Sequence, residues 1–229
     1  MDRRRRPAAG GAHAARPAAP GRHHRSIMTS LFIAVEGPHR VGKTTIARLL
    51  ATRLETRTNR RVHLTSEPTQ SPLGQLLRTA ESALHGRPLA LALAADRAAH
   101  VELEIIPALD DHLHVVTDRY VQSSMVLQRV DGLDLDEVWA YNQYVLPATS
   151  FYLEDDPEVL ARRLGESAPL TRLERVSGPP RELELYREAR TFLATEDWPQ
   201  HVIDCHGKDP DRIVGAILDR LALGSSVEA

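Results

Sequence analysis

From Leu31 onward, short apolar and β-branched runs alternate with longer stretches in which apolar residues recur every three or four positions. The short runs are Leu31–Glu36, Val62–Ser66, His114–Asp118, Ser150–Glu154 and His201–Asp204. The spacing between them predicts helices over about 43–55, 72–83, 88–109, 121–129, 134–145, 157–165, 181–195 and 209–222. Strand–helix alternation of this kind predicts βαβ units: a parallel sheet with helices on both faces. The first run, Leu-Phe-Ile-Ala-Val, is apolar throughout, as a central strand buried on both faces must be. Residues 164–181 break the pattern with Gly, Pro and Arg, which is the texture of a loop or lid.

Composition narrows this α/β reading. The chain has 229 residues, 42% hydrophobic and 26% charged, which excludes a mostly disordered or collagen-like protein. Its length suits one domain, expected over 28–229. No run of about 18 apolar residues occurs, so no membrane span is expected. Cys205 is the single cysteine, so neither an intrachain disulfide nor a Cys-based zinc site is available, and a cytoplasmic protein fits.

The formal net charge of −2 hides an asymmetry: residues 1–27 carry seven arginines and one acid, leaving the remainder at −8. That Arg/Ala/Pro-rich extension has no apolar periodicity and is expected to be disordered, or untranslated if synthesis starts at Met28. An acidic body argues against a nucleic-acid partner. Lysine is nearly absent, with only Lys43 and Lys208.

Lys43 stands in Gly37-Pro38-His39-Arg40-Val41-Gly42-Lys43-Thr44, followed by Thr45 and a helical pattern. This matches G-x-x-x-x-G-K-[ST] between a strand and a helix, the context of a phosphate-binding P-loop. Glycines let the backbone turn tightly and aim its N–H groups at phosphate oxygens, and the helix N-terminus adds partial positive charge. Lys43 reaches the β and γ phosphates as a point charge, and Thr44 can ligate Mg²⁺. ATP and Mg²⁺ are the expected cofactors. A GTPase would read guanine with Asn-Lys-x-Asp, but the other lysine sits in His-Gly-Lys-Asp.

An ordered set of further motifs resembles the thymidylate kinase family of nucleoside monophosphate kinases. They are Val35–Thr45; Ser66-Glu67-Pro68 with Pro72-Leu73-Gly74; Ala94–Val101, containing Arg97 and His100; Asp118-Arg119-Tyr120 with Ser123, Ser124 and Gln128; Ser150–Leu153; Arg172-Leu-Glu174; and Val202-Ile-Asp204. The resemblance implies a P-loop NTPase-type three-layer fold with a five-stranded parallel sheet and a small lid. It also implies a homodimer and transfer of the ATP γ-phosphoryl group to a nucleoside monophosphate, foremost dTMP to dTDP. Arg119 matches the arginine that holds the acceptor phosphate, and a planar guanidinium suits bidentate phosphate binding. Asp118 would orient water on Mg²⁺. Arg40 in the loop and Arg172 in the lid would flank the transferred group. Glu67, Leu93, Arg97, Ser124, Leu127 and Gln128 would line the acceptor site.

Four positions depart from the family pattern. His39 replaces an acid that holds the sugar 3′-hydroxyl. Ser66 replaces the arginine before Glu-Pro, Leu93 replaces a phenylalanine that stacks on thymine, and Leu127 replaces a tyrosine near the sugar 2′ position. Leu93, Arg97 and His100 still share a helical face. Loss of the aromatic face removes offset stacking, so the departures raise a second expectation, an acceptor other than dTMP. Two rival functions also stand. A nucleoside kinase would use Glu67 as general base, and a catalytically inactive regulator would keep only nucleotide binding.

Overall fold

The computed structural model describes residues 30–80, 83–165 and 175–221. The apolar runs form five strands: β1 (Phe32–Glu36), β2 (Val62–Ser66), β3 (His114–Asp118), β4 (Thr149–Glu154) and β5 (Gln200–Asp204). They pair in parallel in the order β2-β3-β1-β4-β5. All of β1 is buried, so the strand that reads as apolar throughout is the central one. Successive side chains of β1 enter opposite cores. Phe32 and Ala34 join a cluster with Val115 and Tyr152, whereas Ile33 and Val35 join one with Val116, Phe151 and Leu153.

Helices cover both faces. On the second face lie α1 (Lys43–Thr58), through Ile46, Leu50 and Leu54, and the last helix, α9 (Pro210–Arg220), through Ile213 and Ile217. The first face takes α3 (Gly86–His100) and α5 (Val121–Val130), through Leu89, Leu93, Val121 and Met125. The remaining helices are α2 (Pro72–Ala80), α4 (Ile106–Asp110), α6 (Leu135–Ala140), α7 (Pro157–Gly165) and α8 (Gly178–Thr195). α8 serves both cores, sending Leu183 to one and Leu185, Tyr186 and Ala189 to the other. Strand order reverses beside β1, and the crevice beyond the carboxyl ends of β1 and β3 is where such sheets bind ligands.

The helical pattern read over 88–109 is interrupted. A π-helical turn at Val101–Ile105 separates α3 from α4, leaving Val101 and Ile105 both inward. The helix expected over 134–145 stops at Ala140. Asn142 turns its amide back onto the Val138 carbonyl at 2.7 Å, and Pro147 disfavours helical backbone at Leu146. At the other extreme, α8 begins at Gly178, inside the segment read as loop, because Pro179 and Pro180 occupy a first turn where no N–H is required. Residues 1–27 and Arg172 lie outside the described residues.

Candidate active site

The phosphate loop connects β1 to α1. Gly37 holds φ +140°, and a Cβ there would meet the Leu153 carbonyl oxygen at 2.5 Å, so no other residue fits without displacing β4. Gly42 takes a left-handed conformation just before α1. Arg40, also left-handed at φ 64°, is exposed toward the cavity. Lys43 is buried, and its ammonium donates to the Gly37 and Pro38 carbonyls, each at 2.7 Å. Burial pushes its pKa down to about 7, helped by the positive Arg119 and opposed by Glu182, Asp118 and Glu36.

Asp118 ends β3 beside the loop. Its Oδ2 accepts the Thr44 hydroxyl at 2.5 Å, while its Oδ1 is buried with no partner among the described residues. A hydroxyl and a carboxylate with an unspent oxygen are hard oxygen donors, which fits Mg²⁺ brought in with a nucleotide. Arg119 follows with φ 74°, a strained value for a non-glycine residue. That kink turns the chain off the sheet toward the cavity. Glu36 secures the arrangement from below. It accepts the Tyr120 N–H at 2.7 Å, the Ser123 N–H at 3.2 Å and the Ser123 hydroxyl at 2.7 Å, fixing the N-terminus of α5. Its own pKa is pushed up by complete burial.

These groups open on one cavity of about 480 Å³. At its phosphate end stand His39, Arg40, Lys43, Thr44, Thr45 and Arg119. Toward the other end the walls become apolar, with Leu93 from α3, Leu127 from α5 and Tyr120. Gln128, next to Leu127, is fully buried, and among the described residues neither of its amide atoms has a partner. A buried amide left unspent in this way calls for a ligand or water.

Glu67 and Arg97 also line the cavity, but their chemistry is spent on each other. Arg97 Nε donates to Glu67 Oε2 at 2.7 Å, and its other nitrogens reach Asn142 at 2.5 Å and Ser124 at 2.7 Å. Glu67 Oε1 meets His100 Nδ1 at 3.1 Å. Both carboxylate oxygens are therefore occupied. Glu67 is a brace for the acceptor wall and is poorly placed to take a proton from a sugar hydroxyl.

The sequence-derived candidates thus fall into three groups. His39, Arg40, Gly42, Lys43, Thr44 and Thr45 line the cavity from the loop. Glu67 and Arg119, each just past the end of a strand (β2 and β3), line it together with Leu93 and Arg97 of α3 and Ser124 and Leu127 of α5. Gly37, Pro38, Val41, Asp118 and Gln128 stand behind that surface as supports or as partners of lining groups. Sequence reasoning missed Glu36, Arg78, Tyr186 and Glu182. Arg78 projects from α2 into the cavity, and its guanidinium lies 3.4 Å from the Ser66 hydroxyl and bonds the Pro68 carbonyl. The available signal was the loss of an arginine at Ser66 with another one helix later. Tyr186 closes the cavity from α8, its hydroxyl 3.2 Å from Ser123 Oγ. Glu182 had no local signal, because its partner is His39.

Comparison with known proteins agrees with this geometry. The family model described as Thymidylate kinase matches residues 35–206. The chain is 36% identical over 212 residues to a thymidylate kinase of Xanthomonas campestris, covering 86% of this chain and 88% of that one. It is 37% identical over 172 residues to a probable thymidylate kinase of Pyrococcus horikoshii, covering 71% and 80%. A crystal structure of thymidylate kinase from Ehrlichia chaffeensis superposes with a TM-score of 0.63 at 23% identity, over 85% of this chain and all of that one. That superposition carries the fold.

Proposed function

The chain belongs to the thymidylate kinase family, and from that premise we propose how its cavity phosphorylates dTMP to dTDP at the expense of ATP. It is a nucleoside monophosphate kinase. The observation that carries the mechanism is the placement of a P-loop, Arg119, Arg78 and an apolar recess around one cavity.

Phosphoryl transfer asks for positioning and charge neutralisation more than for covalent chemistry. The loop N–H groups and the start of α1 take the ATP phosphates. Lys43 exchanges its two carbonyl partners for phosphate oxygens. Thr44 and Asp118 would hold Mg²⁺, which neutralises charge between the β and γ phosphates when bound. Arg119 and Arg78 grip the acceptor phosphate, and Arg40 lies where charge develops on the transferred group. An acceptor phosphate is already anionic, so no general base is needed. Leu93, Leu127 and the Tyr120 ring give the base apolar cover.

Arg172 and the segment about 164–181 are assigned to a lid on the resemblance. Homodimerisation is likewise proposed, supported by exposed apolar side chains on α2 and α3, Leu76 at 61% and Leu91 at 51%. Sedimentation velocity tests it. Among the described residues no helix is long and apolar enough to cross a membrane.

The test is ADP release from Mg-ATP across the common ribo- and deoxyribonucleoside monophosphates and their nucleosides. dTMP is expected to give the strongest response, with nucleosides silent. A thymidine response abolished by Glu67→Gln would install the nucleoside kinase instead. ATP binding without transfer would favour the regulator, against which the retention of Lys43, Thr44, Asp118 and Arg119 argues.

A further inference from the structure

Arg119 is the cation that the proposed function assigns to the acceptor phosphate, and a guanidinium carries five N–H donors. Among the described residues its side chain makes one hydrogen bond, from Nη1 to the Ser123 hydroxyl oxygen at 3.3 Å. A guanidinium held at one point is aimed by that point. Its other donors are left for the cavity that it lines.

Ser123 is itself held from two other elements. Its hydroxyl donates to Glu36 Oε2 at 2.7 Å, and Glu36 Oε1 accepts the Tyr120 and Ser123 N–H groups at 2.7 and 3.2 Å. The carboxylate at the end of β1 therefore takes donors on both oxygens. A serine hydroxyl has one proton and two lone pairs. With the proton committed to Glu36, the lone pairs are left for Arg119 and for the Tyr186 hydroxyl of α8, 3.2 Å away. Tyr186 is then the donor, its proton shared between Ser123 and Glu36 Oε2 at 3.5 Å. Burial pushes the Glu36 carboxyl up to about 7, and the foremost influence holding it down is the Ser123 hydroxyl, ahead of the Arg119 charge. Direction and charge thus run from Glu36 through Ser123 to Arg119.

We propose that Ser123 is a positioning residue: its hydroxyl, oriented by Glu36 and steadied by Tyr186, sets how Arg119 presents its free donors to the acceptor phosphate. The grip on that phosphate thereby depends on β1, α5 and α8 as well as on Arg119. The inference rests on the kinase reading above.

Two measurements test it. The first compares dTMP as substrate with thymidine as competitive inhibitor, because thymidine has the same sugar and base but no phosphate. Ser123→Ala should raise KM for dTMP about two- to tenfold, the worth of one hydrogen bond. Thymidine inhibition and KM for ATP should not move. Ser123→Thr keeps the hydroxyl and should restore the wild-type KM. Tyr186→Phe should weaken dTMP less than Ser123→Ala does, and should add no loss in the alanine background, since it acts through the same oxygen. Equal weakening of dTMP and thymidine would place Ser123 against the sugar or base. A threonine variant as poor as alanine would reduce the role to packing. Either result, a change confined to ATP, or no change would overturn the proposal.

The second measurement follows rotation about the Arg119 Nε–Cζ bond by NMR. Rotation should be slower in the wild type than in Ser123→Ala, and equal rates overturn the proposal. Should the alanine variant fail to fold, Tyr186→Phe takes its place and must also rotate faster than the wild type. A wild type that phosphorylates no monophosphate sinks the kinase reading instead, while the rotation rates still judge the tether.

Discussion

At the donor end of the cavity, one stretch of chain from Gly37 to Thr45 supplies the phosphate loop, and among the described residues Asp118 and Arg119 join it from the end of β3. At the acceptor end, the phosphate loop, the turn after β2, α2, α3, α5 and α8 each contribute between one and three side chains. The donor end works through backbone N–H groups whose directions are set by local dihedrals. Glycine at 37 and 42 is therefore dictated within the loop itself. The acceptor end works through side chains that converge from separate elements, so a lost group can be replaced from a different element. On the function proposed above, Arg78, 3.4 Å from the Ser66 hydroxyl, would be such a replacement. A contiguous site resists substitution, whereas a convergent one tolerates relocation.

The largest effect should come from breaking the contiguous end. Lys43→Ala removes the charge aimed at the phosphates, and kcat should fall by roughly 10²–10³ or more, as for other groups that stabilise transition-state charge. Steady-state kinetics with saturating dTMP will show it. A loss confined to KM for dTMP would mean that the ends are not divided as described.

Relocation is tested at Ser66. Arg78→Ala should raise KM for dTMP by about 10–100-fold, the worth of a charge-assisted hydrogen bond, with KM for ATP unchanged. Adding Ser66→Arg to that variant should recover part of the loss. No recovery, with the fold intact by circular dichroism, would show that the acceptor phosphate does not sit between these two positions.

The same contrast explains what the sequence revealed. Apolar and β-branched runs announce strands, the buried central ones and the partly exposed edge strands β2 and β5 alike, and all five appear within a residue of their expected limits. The phosphate loop is legible because its chemistry is local. The π turn at Val101–Ile105 left no periodicity to detect, because a single added residue per turn is too small a shift. Asn142 ended α6 early by bonding backward and then served Arg97, a contact no local pattern encodes. Glu182 and His39 are 143 residues apart, and only the folded chain brings them together.

A smaller effect distinguishes the ends by pH. Burial lowers the Lys43 pKa to about 7 in the free protein. Bound phosphates favour the ammonium, so the pKa must rise on ATP binding. Below about 7 the lysine is charged in both states and ATP affinity should be flat. Above it the free form has lost a proton that binding must restore. Affinity should then fall, by up to tenfold per pH unit while the bound form stays charged. Calorimetry in two buffers of different ionisation enthalpy should show proton uptake on the alkaline side and none on the acidic side. Proton release would reverse the assignment.

The smallest effect concerns the base. Leu93 is 8% exposed and lines the apolar end of the cavity. Leucine covers a pyrimidine face by dispersion alone, whereas an aromatic ring adds about 0.5–1.5 kcal/mol from offset stacking. Leu93→Phe should therefore lower KM for dTMP by about two- to tenfold. ATP constants should not move, because α3 touches no residue of the phosphate loop in any bond seen here. A gain for dTMP alone places the base against α3 and shows that its loss of stacking was tolerated. An equal gain for every monophosphate would mean that Leu93 contributes only apolar cover. A loss would mean the recess has already closed around leucine, since overpacking a filled wall costs more than stacking returns. The acceptor end would then be convergent in its packing as well as in its charges.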